Sequence, residues 1–489
     1  MHENQEYYQD FLEWEYIDEK FEITNIEFEN GHYSVNQDAI IKFSRNDRFK
    51  LVATMTNILP QNTLEKYHGE PGTFIEKENI IGTSRDGEIR YKIIGIVMGR
   101  TRRNYKELGG PNYQANIIFD SIEKTHLNRT ETVRLTEWYL SSKPSFNFPR
   151  ITKRTIDISH KIKRYTIDTK KKVNKSYSYS SSNDFLLIKS EKASFIVSNV
   201  PDKYLPEWSS SLLIEYRTSF GEIPNANIRE SVAELMSFIL GNKIIKIGES
   251  EYNEEDYFTN QKFRNPESNN TIAICQANNY PPIPVENSIQ MANLEPVISN
   301  LLDNYLSLRE KLVLGGAISK FWVAKYSSLG ANLPILSSAL ESLSENYLKS
   351  HEKVKPYYID YDEFEELIKE EIKSISEKLA NNIHKEIIVK KIKQSSQRSL
   401  KDKLERMFEN LDITIGKIEW KAINARNKMA HTSFNEISEE EVKDLIRLTR
   451  AYETLFNRVI LKMLGHTGKY IDYYTLGFPQ REMDEHIPN

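Results

Sequence analysis

The stretch NARNKMAHTSF, residues 424–434, carries an arginine and a histidine whose side chains suit chemistry at a phosphate group. An imidazole titrates at about pH 6.5, so it can act as a base or an acid near neutral pH. A guanidinium stays charged and binds phosphate through two parallel N–H donors. His431 is therefore the candidate proton-transfer residue, and Arg426 is the candidate phosphate clamp. Asn427 lies one helical turn before His431, where it could orient the imidazole or bond to phosphate.

The spacing of the pair also limits its geometry. Two residues five positions apart point about 140° away from each other on an ideal helix. Arg426 and His431 therefore converge only if the arginine side chain reaches round the helix, or if the helix ends before His431. Thr432 and Ser433 favour the second arrangement. The alternative interpretation is structural, with an arginine that caps a helix and a histidine at the helix end.

Spacing alone is weak support, because the chain has 23 arginines and 10 histidines. If residues are placed independently, roughly half of one such Arg–His pair is expected by chance in a chain of this composition. A second pair, Arg481 and His486, is in fact present. It encloses three acidic residues that would repel a phosphate: Glu482, Asp484 and Glu485. It also lies in a polar C-terminal tail, residues 471–489, which we expect to be mobile.

Residues 289–470, which include Arg426, show helical periodicity throughout. Apolar residues recur along one face at Leu336, Leu340, Leu343 and Tyr347. Residues 361–393 read as one long, highly charged helix. Ser438 and Glu441 have the spacing of a capping box at the start of a strongly amphipathic final helix. The region is therefore predicted to be an all-helical bundle of four or more helices.

Residues 1–280 read mainly as short strands separated by polar or Gly/Pro-containing segments, which is typical of an antiparallel, sandwich-like domain. One helix interrupts the strands, in NIRESVAELMSFILG, and should end at Gly241. Residues 281–288 contain three prolines within four positions and predict an extended linker. The predicted fold class is therefore α+β with two domains.

Composition describes a soluble globular protein with a net charge of −4. The single cysteine, Cys275, excludes an internal disulfide framework, favours a cytoplasmic location, and reads as a small buried strand residue. The N-terminus has no signal-peptide pattern, and the longest apolar stretch is too short for a membrane span. Zinc, nucleotide and serine-hydrolase motifs are absent from the sequence, so no cofactor or metal is expected.

The segment RNKMAH matches the Arg-polar-x-x-x-His signature of HEPN domains, the helical bundles found in many prokaryotic defence ribonucleases. The upstream stretch LPILSSALESLSENYL resembles an earlier HEPN helix of the ApeA-like antiphage proteins. In that subfamily a β-rich domain precedes a C-terminal HEPN domain. The order of the two domains is similar over nearly the whole chain, whereas the similarity in specific sequence motifs covers about twenty residues.

This resemblance implies a metal-independent endoribonuclease that acts in antiphage defence by abortive infection. RNA supplies its own nucleophile, the 2′-hydroxyl, so cleavage would leave a 2′,3′-cyclic phosphate. HEPN enzymes bring two copies of the motif to one cleft, so the resemblance implies a homodimer or a higher even oligomer. The β-rich domain would sense a phage-derived trigger or restrain the nuclease, since an unregulated ribonuclease would poison its host.

Other residues are candidates for weaker roles at such a site. Glu341, in ALESL, could form an ion pair that holds Arg426; the alternative is a solvated glutamate on a helix surface. Five basic residues could line a path for the RNA backbone: Lys390, Lys391, Lys393, Arg398 and Lys428. The alternative for these is the ordinary charged surface of a bundle.

Two other functions remain open from the sequence. The helical domain could bind RNA or a protein partner without cutting. Alternatively, the β-rich domain could carry the function as a carbohydrate- or protein-binding sandwich, while the helices serve only to dimerise.

Overall fold

A computed structural model describes most of the chain. The described residues are 6–8, 22–29, 35–58, 77–105, 111–142, 148, 150–157, 162–166, 182–200, 207–255, 257–266, 270–285, 294–351, 355–429 and 438–488. An antiparallel β-sheet region comes first and a helical region follows it, which confirms the predicted α+β class with two domains.

Sixteen described strands make up the N-terminal sheet region. They are β1 (Glu6–Tyr8), β2 (Thr24–Phe28), β3 (Val35–Arg45), β4 (Leu51–Ile58), β5 (Glu78–Thr83), β6 (Ile89–Tyr105), β7 (Pro111–Ile118), β8 (Ser121–His126), β9 (Arg134–Ser141), β10 (Arg150–Asp157), β11 (Ile162–Thr166), β12 (Ser182–Lys189), β13 (Ser194–Asn199), β14 (Ser210–Arg217), β15 (Ile245–Tyr252) and β16 (Phe258–Arg264).

These strands form one hydrogen-bonded path in the order β1-β11-β10-β12-β13-β14-β9-β15-β16-β8-β6-β7-β4-β3, and β5 joins β2 to β6. The long strand β6 changes partners along its length. It pairs with β8 up to Ile94 and with β7 from Val97. Gly95 lies between the two ladders with a φ of +74°, a conformation that glycine adopts without steric cost. The central strands β9 and β14 are buried along their whole length, which indicates that both of their faces are covered.

The helices are α1 (Ala226–Leu240), α2 (Thr271–Gln276), α3 (Leu294–Leu312), α4 (Leu314–Lys325), α5 (Asn332–Ser350), α6 (Tyr361–Leu367), α7 (Lys369–Lys378), α8 (Lys385–Lys393), α9 (Leu400–Asn410), α10 (Lys417–Met429) and α11 (Glu439–Met463). Two short strands follow them, β17 (Lys469–Ile471) and β18 (Gln480–Glu482), and they pair with each other. In the part of the chain that the structure describes, no helix is both long and apolar enough to cross a lipid bilayer.

Helices α5 and α11 form the core of the helical region. Helix α5 packs against α4, α9, α10 and α11. All four residues of its predicted apolar stripe are buried: Leu336, Leu340, Leu343 and Tyr347. Helix α11 begins at the predicted capping box of Ser438 and Glu441, in which both reciprocal hydrogen bonds are present. Its residues 451–460 are all buried, so this helix passes through the interior of the bundle.

The chain divides into two compact units. The first comprises Met1–Arg229, Asn242–Tyr280 and Val285–Ser299. The second comprises Glu230–Gly241, Pro281–Pro284 and Asn300–Asn489. The second unit therefore includes most of α1, a segment that the sequence analysis assigned to the β-rich domain.

The predicted linker at 281–288 is packed where the structure describes it. Pro281, Pro282 and Ile283 are buried. The hydroxyl of Tyr473 donates to the carbonyl of Pro281 at 2.6 Å, and the amide of Ile471 donates to Pro282 at 3.0 Å. These residues thus pack within the second unit, and residues 286–288 of the predicted extended linker lie outside the described residues.

The expectation of a mobile C-terminal tail at 471–489 is wrong for its described residues. Tyr473, Met483 and Ile487 are buried, and β18 pairs with β17. Because most residues of the tail are polar, the burial of these few apolar side chains was not recognised from the sequence.

Two element predictions also need correction. Residues 361–393 form three short helices, α6 to α8, instead of one. The Asn382 side chain accepts a hydrogen bond from the backbone N–H of His384 in the turn between α7 and α8, which competes with continued helix. Cys275 is buried as predicted, but it lies in helix α2 and not in a strand. Burial raises the pKa of its thiol to about 12.

Candidate active site around Arg426

Helix α10 presents Arg426 near its C-terminal end. Glu419, Ala422 and Ile423 are buried and lie on the face that continues to Arg426. Residues seven apart are almost in line on a helix, so Glu419 and Arg426 point to the same side. The buried half of this face holds the helix in the bundle, and its end carries the arginine that the sequence singled out.

A buried ion pair fixes α10 to α11. Arg458 Nη1 donates to Glu419 Oε1 at 2.6 Å, and both side chains are fully buried. Burial raises the pKa of Glu419, while Arg458 and the backbone N–H groups of Gly416 and Ile487 act in the opposite direction. Removing one partner of such a pair typically costs about 3–5 kcal/mol, because the other charge stays buried. The position of α10 is therefore strongly constrained.

Two side chains of α5 receive the Arg426 guanidinium. Its Nη1 donates to Ser337 Oγ at 2.7 Å and lies 3.4 Å from Glu341 Oε2. Of the two alternatives for Glu341, the ion pair with Arg426 is present, on a side chain that is also largely solvated. The two interactions differ in environment, since Ser337 is buried whereas the Glu341 side chain is 51% exposed.

Those environments decide which contact is stronger. A hydrogen bond from a charged donor contributes about 1.5–3 kcal/mol, and an exposed ion pair contributes about 0–1 kcal/mol. An arginine side chain carries about 2 kcal/mol of rotamer entropy. Of these two contacts with α5, the one with Ser337 is the larger, and its size matches the entropy cost of holding Arg426 in one rotamer.

Tyr452 of α11 completes this small polar cluster. It is fully buried, and its phenol lies next to the Ser337 hydroxyl, which acts on its pKa. Burial raises the pKa of Tyr452, with Ser337 and Arg426 opposing the shift, so the phenol stays neutral at physiological pH. Side chains from three helices thus meet at Ser337: Arg426 from α10, Ser337 from α5 and Tyr452 from α11.

The remaining members of the predicted catalytic set are not located. His431 lies outside the described residues, and so do the side chains of Asn427 and Lys428. Helix α10 is described as far as Met429. The convergence of the His431 and Arg426 side chains beyond the helix end therefore stays a prediction. The Arg426 side chain is 33% exposed, so it is accessible to a ligand.

The second Arg–His pair has a structural role instead. Arg481 lies in β18, and its Nε donates to Asp472 Oδ2 at 2.8 Å. Asp472 is fully buried and also accepts from the Thr475 hydroxyl at 2.6 Å. Arg481 therefore neutralises a buried carboxylate of the C-terminal segment, which distinguishes it from Arg426.

Four of the five basic candidates for RNA binding lie outside α10, in residues 390–398. Lys390 and Lys391 are exposed on α8, and Lys393 forms an ion pair with Glu365 of α6. The Arg398 guanidinium lies 4.5 Å from the ring centroid of Tyr358, and its Nε donates to the carbonyl of Lys355 at 3.1 Å. A cleft of about 370 Å³ is lined in part by Lys390 and Lys393. The described contacts of Lys393 and Arg398 thus link α6, α8 and the segment before α6, and their role in binding RNA stays a prediction.

Sequence reasoning missed Ser337, Tyr452 and the pair of Glu419 with Arg458. A signal for Ser337 exists, because it lies four residues before Glu341 and the two therefore share one face of a helix. Tyr452 lies in the amphipathic final helix, and its signal is general: a buried tyrosine hydroxyl normally needs a hydrogen-bond partner. Within the described residues, no cluster of three or more His, Cys, Asp or Glu side chains is arranged to hold a metal ion.

Comparison with known proteins gives no further assignment. The chain matches no protein-family model, no curated protein and no solved structure.

Proposed function

We propose that this protein is a metal-independent endoribonuclease of the HEPN type, acting in antiphage defence by abortive infection in the cytoplasm. The observation that carries the proposal is the arrangement at Arg426. A partly exposed guanidinium stands near the end of a firmly held helix, is seated by two side chains of a second helix, and lies five residues before His431. The order of a β-rich region before a helical bundle, as in ApeA-like proteins, supports it further.

The proposed chemistry needs only proton transfer and charge stabilisation. His431 takes the proton of an RNA 2′-hydroxyl, whose oxygen attacks the adjacent phosphorus. The bond from phosphorus to the 5′-oxygen breaks, and that oxygen gains a proton as it leaves. Arg426 stabilises the extra negative charge on the phosphorus-bound oxygens in the transition state. The products are a 2′,3′-cyclic phosphate and a 5′-hydroxyl.

A second copy of the chain would complete the site. In-line displacement requires one group to remove a proton and another to supply one, on opposite sides of the phosphorus. A single chain has one such histidine beside Arg426. A homodimer or higher even oligomer with two facing motifs provides both groups, and the β-rich region would respond to a phage-derived trigger.

The proposal is tested by replacing Arg426 and His431 separately with alanine. Each variant should lose at least about a hundredfold in cleavage of a mixed-sequence oligoribonucleotide, since each removes a main contribution to catalysis. His486→Ala is the matched control, because it removes the histidine of the second pair. Equal cleavage by all four proteins would refute the enzyme assignment.

A second function is favoured by the ion pair between Arg426 and Glu341. Such a pair would also suit a HEPN bundle that binds RNA or a protein without cutting it. In that case an uncleavable 2′-O-methyl oligonucleotide would bind in an Arg426-dependent manner, while the unmodified RNA would stay intact. Replacement of His431 would then have no effect on either measurement.

A further inference from the structure

We propose that Ser337 is the positioning residue for Arg426, and that Tyr452 holds the Ser337 hydroxyl in place for this task. The inference rests on the proposed ribonuclease function. It adds two residues that act through Arg426 and do not themselves touch the RNA.

The contacts support a fixed direction for the guanidinium. Ser337 Oγ accepts from Arg426 Nη1 at 2.7 Å, a short distance that is typical of a charged donor. Ser337 is only 1% exposed, so water does not compete for this oxygen. A serine hydroxyl can accept from one partner and still bond to another, which lets it serve Arg426 and Tyr452 together.

Glu341 is less suited to the same task. Its oxygen lies 3.4 Å from Arg426 Nη1, and its side chain is more than half exposed. A carboxylate in that position can move away when an anionic phosphate approaches. The buried serine stays in place, because it belongs to the packed face of α5.

Tyr452 explains why the serine hydroxyl keeps one orientation. It comes from the buried interior of α11, and its phenol lies next to the Ser337 hydroxyl, within reach of a hydrogen bond. A guanidinium has five N–H donors in a rigid plane, so a bond at one nitrogen, together with the covalent attachment of the side chain to α10, restricts the directions of the others. The cluster thereby aims the plane of Arg426 before RNA binds.

The central test is Ser337→Ala in the full-length protein, assayed on a mixed-sequence oligoribonucleotide. We expect kcat to fall about tenfold to thirtyfold with a smaller change in KM, because a misdirected clamp is lost mainly in the transition state. The midpoint of the pH–rate profile should not move, since the proton-transfer group is unchanged. In an Arg426→Ala background the same substitution should cause no further loss.

Ser344→Ala is the matched control. Ser344 is on the same helix and fully buried, and its hydroxyl bonds to the backbone carbonyl of Glu341. It should leave cleavage within about twofold of the original protein, since it does not touch the guanidinium. Equal losses from the two serine variants would mean that a general weakening of α5 is responsible, and would overturn the proposal.

Two further variants decide the case if Ser337→Ala folds poorly. Tyr452→Phe removes only the supporting hydroxyl and should lower kcat severalfold, whereas Ser337→Thr keeps a hydroxyl and should restore much of the rate. Normal kcat for Tyr452→Phe together with failure of Ser337→Thr would refute the positioning role.

Failure of this inference can be told apart from failure of the proposed function. If Arg426→Ala abolishes cleavage while Ser337→Ala retains it, the enzyme assignment stands and the positioning role is wrong. If Arg426→Ala itself cleaves normally, the proposed function fails and this inference fails with it.

Discussion

At the scale of single residues, Arg426 makes one strong contact and one weak contact with side chains of α5. The bond to buried Ser337 is of the order of 1.5–3 kcal/mol, and the exposed pair with Glu341 is worth about 0–1 kcal/mol. The acidic side chain therefore affects the local potential more than it affects stability. In the proposed function Arg426 binds phosphate, and a negative charge beside the guanidinium would compete with that phosphate.

Glu341→Gln should therefore strengthen RNA binding. We expect a 2′-O-methyl oligonucleotide to bind about threefold to fivefold more tightly at low salt, because a repulsive charge near the phosphate is removed. The free energy of unfolding should change by less than about 1 kcal/mol. Fluorescence anisotropy at two salt concentrations and urea unfolding measure the two effects.

Glu345→Gln supplies the control for that change. Glu345 lies one turn further along α5 and pairs with Lys403 and Lys349 instead of Arg426. It should leave the affinity for the oligonucleotide unchanged. Weaker binding by Glu341→Gln, in contrast, would show that Glu341 holds Arg426 in place and does not compete with phosphate.

At the scale of elements, sequence patterns predicted the features that depend on interactions between residues close in sequence, such as where a helix begins and ends. Helix α11 followed from its capping box, and α1 followed from its periodicity and from Gly241, which has a φ of +69°. The order of strands in the sheet could not be predicted, because hydrogen bonding joins strands far apart in sequence. Cys275 was assigned to a strand because a short apolar run does not distinguish a strand from a buried helix.

In the candidate site, too, some residues could be recognised from the local sequence and others only from the packing of helices. Arg426 could be found from its spacing and its neighbours in the sequence. Ser337 and Tyr452 could not, because the role proposed for them depends on the packing of α5 and α11 against α10. A residue that acts through another residue leaves little trace in the sequence of its own helix.

A lysine at the end of α4 provides a prediction for the packing between helices. Lys325 Nζ donates to the carbonyl of Gly241, just after α1, at 3.2 Å. Burial lowers its pKa to about 8, with Glu453 opposing the shift and Arg450 adding to it. Between about pH 8 and the unfolded pKa of about 10.4, the unfolded chain binds more protons at this site than the folded chain. The contribution of Lys325 to stability therefore rises with pH across that window, by roughly 2 kcal/mol.

Urea unfolding at pH 7.5, 8.5 and 9.5 tests this, by comparison of the original protein with Lys325→Met. The difference in unfolding free energy between the two should move in favour of the original protein as pH rises. Buried tyrosines and Cys275 act in the opposite direction, but they are common to both proteins and cancel in the difference. Lys320→Met on the same helix, at a residue bonded to Ser338, should show no such trend. A pH-independent difference for Lys325→Met would contradict the prediction.

At the scale of the whole molecule, the helical unit is assembled from three separated stretches of chain. Proline content placed the domain boundary at 281–288, because prolines mark places where regular structure stops. It does not report which unit a segment packs against. Residues 230–241 precede that boundary by about forty positions, yet they belong to the second unit.

Glu234 makes the main polar connection of this inserted segment. Its carboxylate accepts from Arg309 Nε at 2.7 Å and Nη2 at 2.9 Å, and from the Tyr305 hydroxyl at 2.7 Å. The two bonds from one guanidinium form the bidentate geometry that is strongest for such pairs. Tyr305 is fully buried, so its hydroxyl depends on this acceptor.

Glu234→Gln in the full-length protein should consequently lower the free energy of unfolding of the helical unit by about 2 kcal/mol, because it removes a charged acceptor from two residues, Arg309 and Tyr305, at once. Glu230→Gln is the matched comparison on the same helix. Glu230 lies 3.6 Å from Arg309 and is 64% exposed, so its loss should cost less than about 0.5 kcal/mol. Thermal and urea unfolding followed by far-ultraviolet circular dichroism measure both variants. Equal effects of the two substitutions would mean that residues 230–241 stabilise the helical unit by apolar burial and not through this carboxylate.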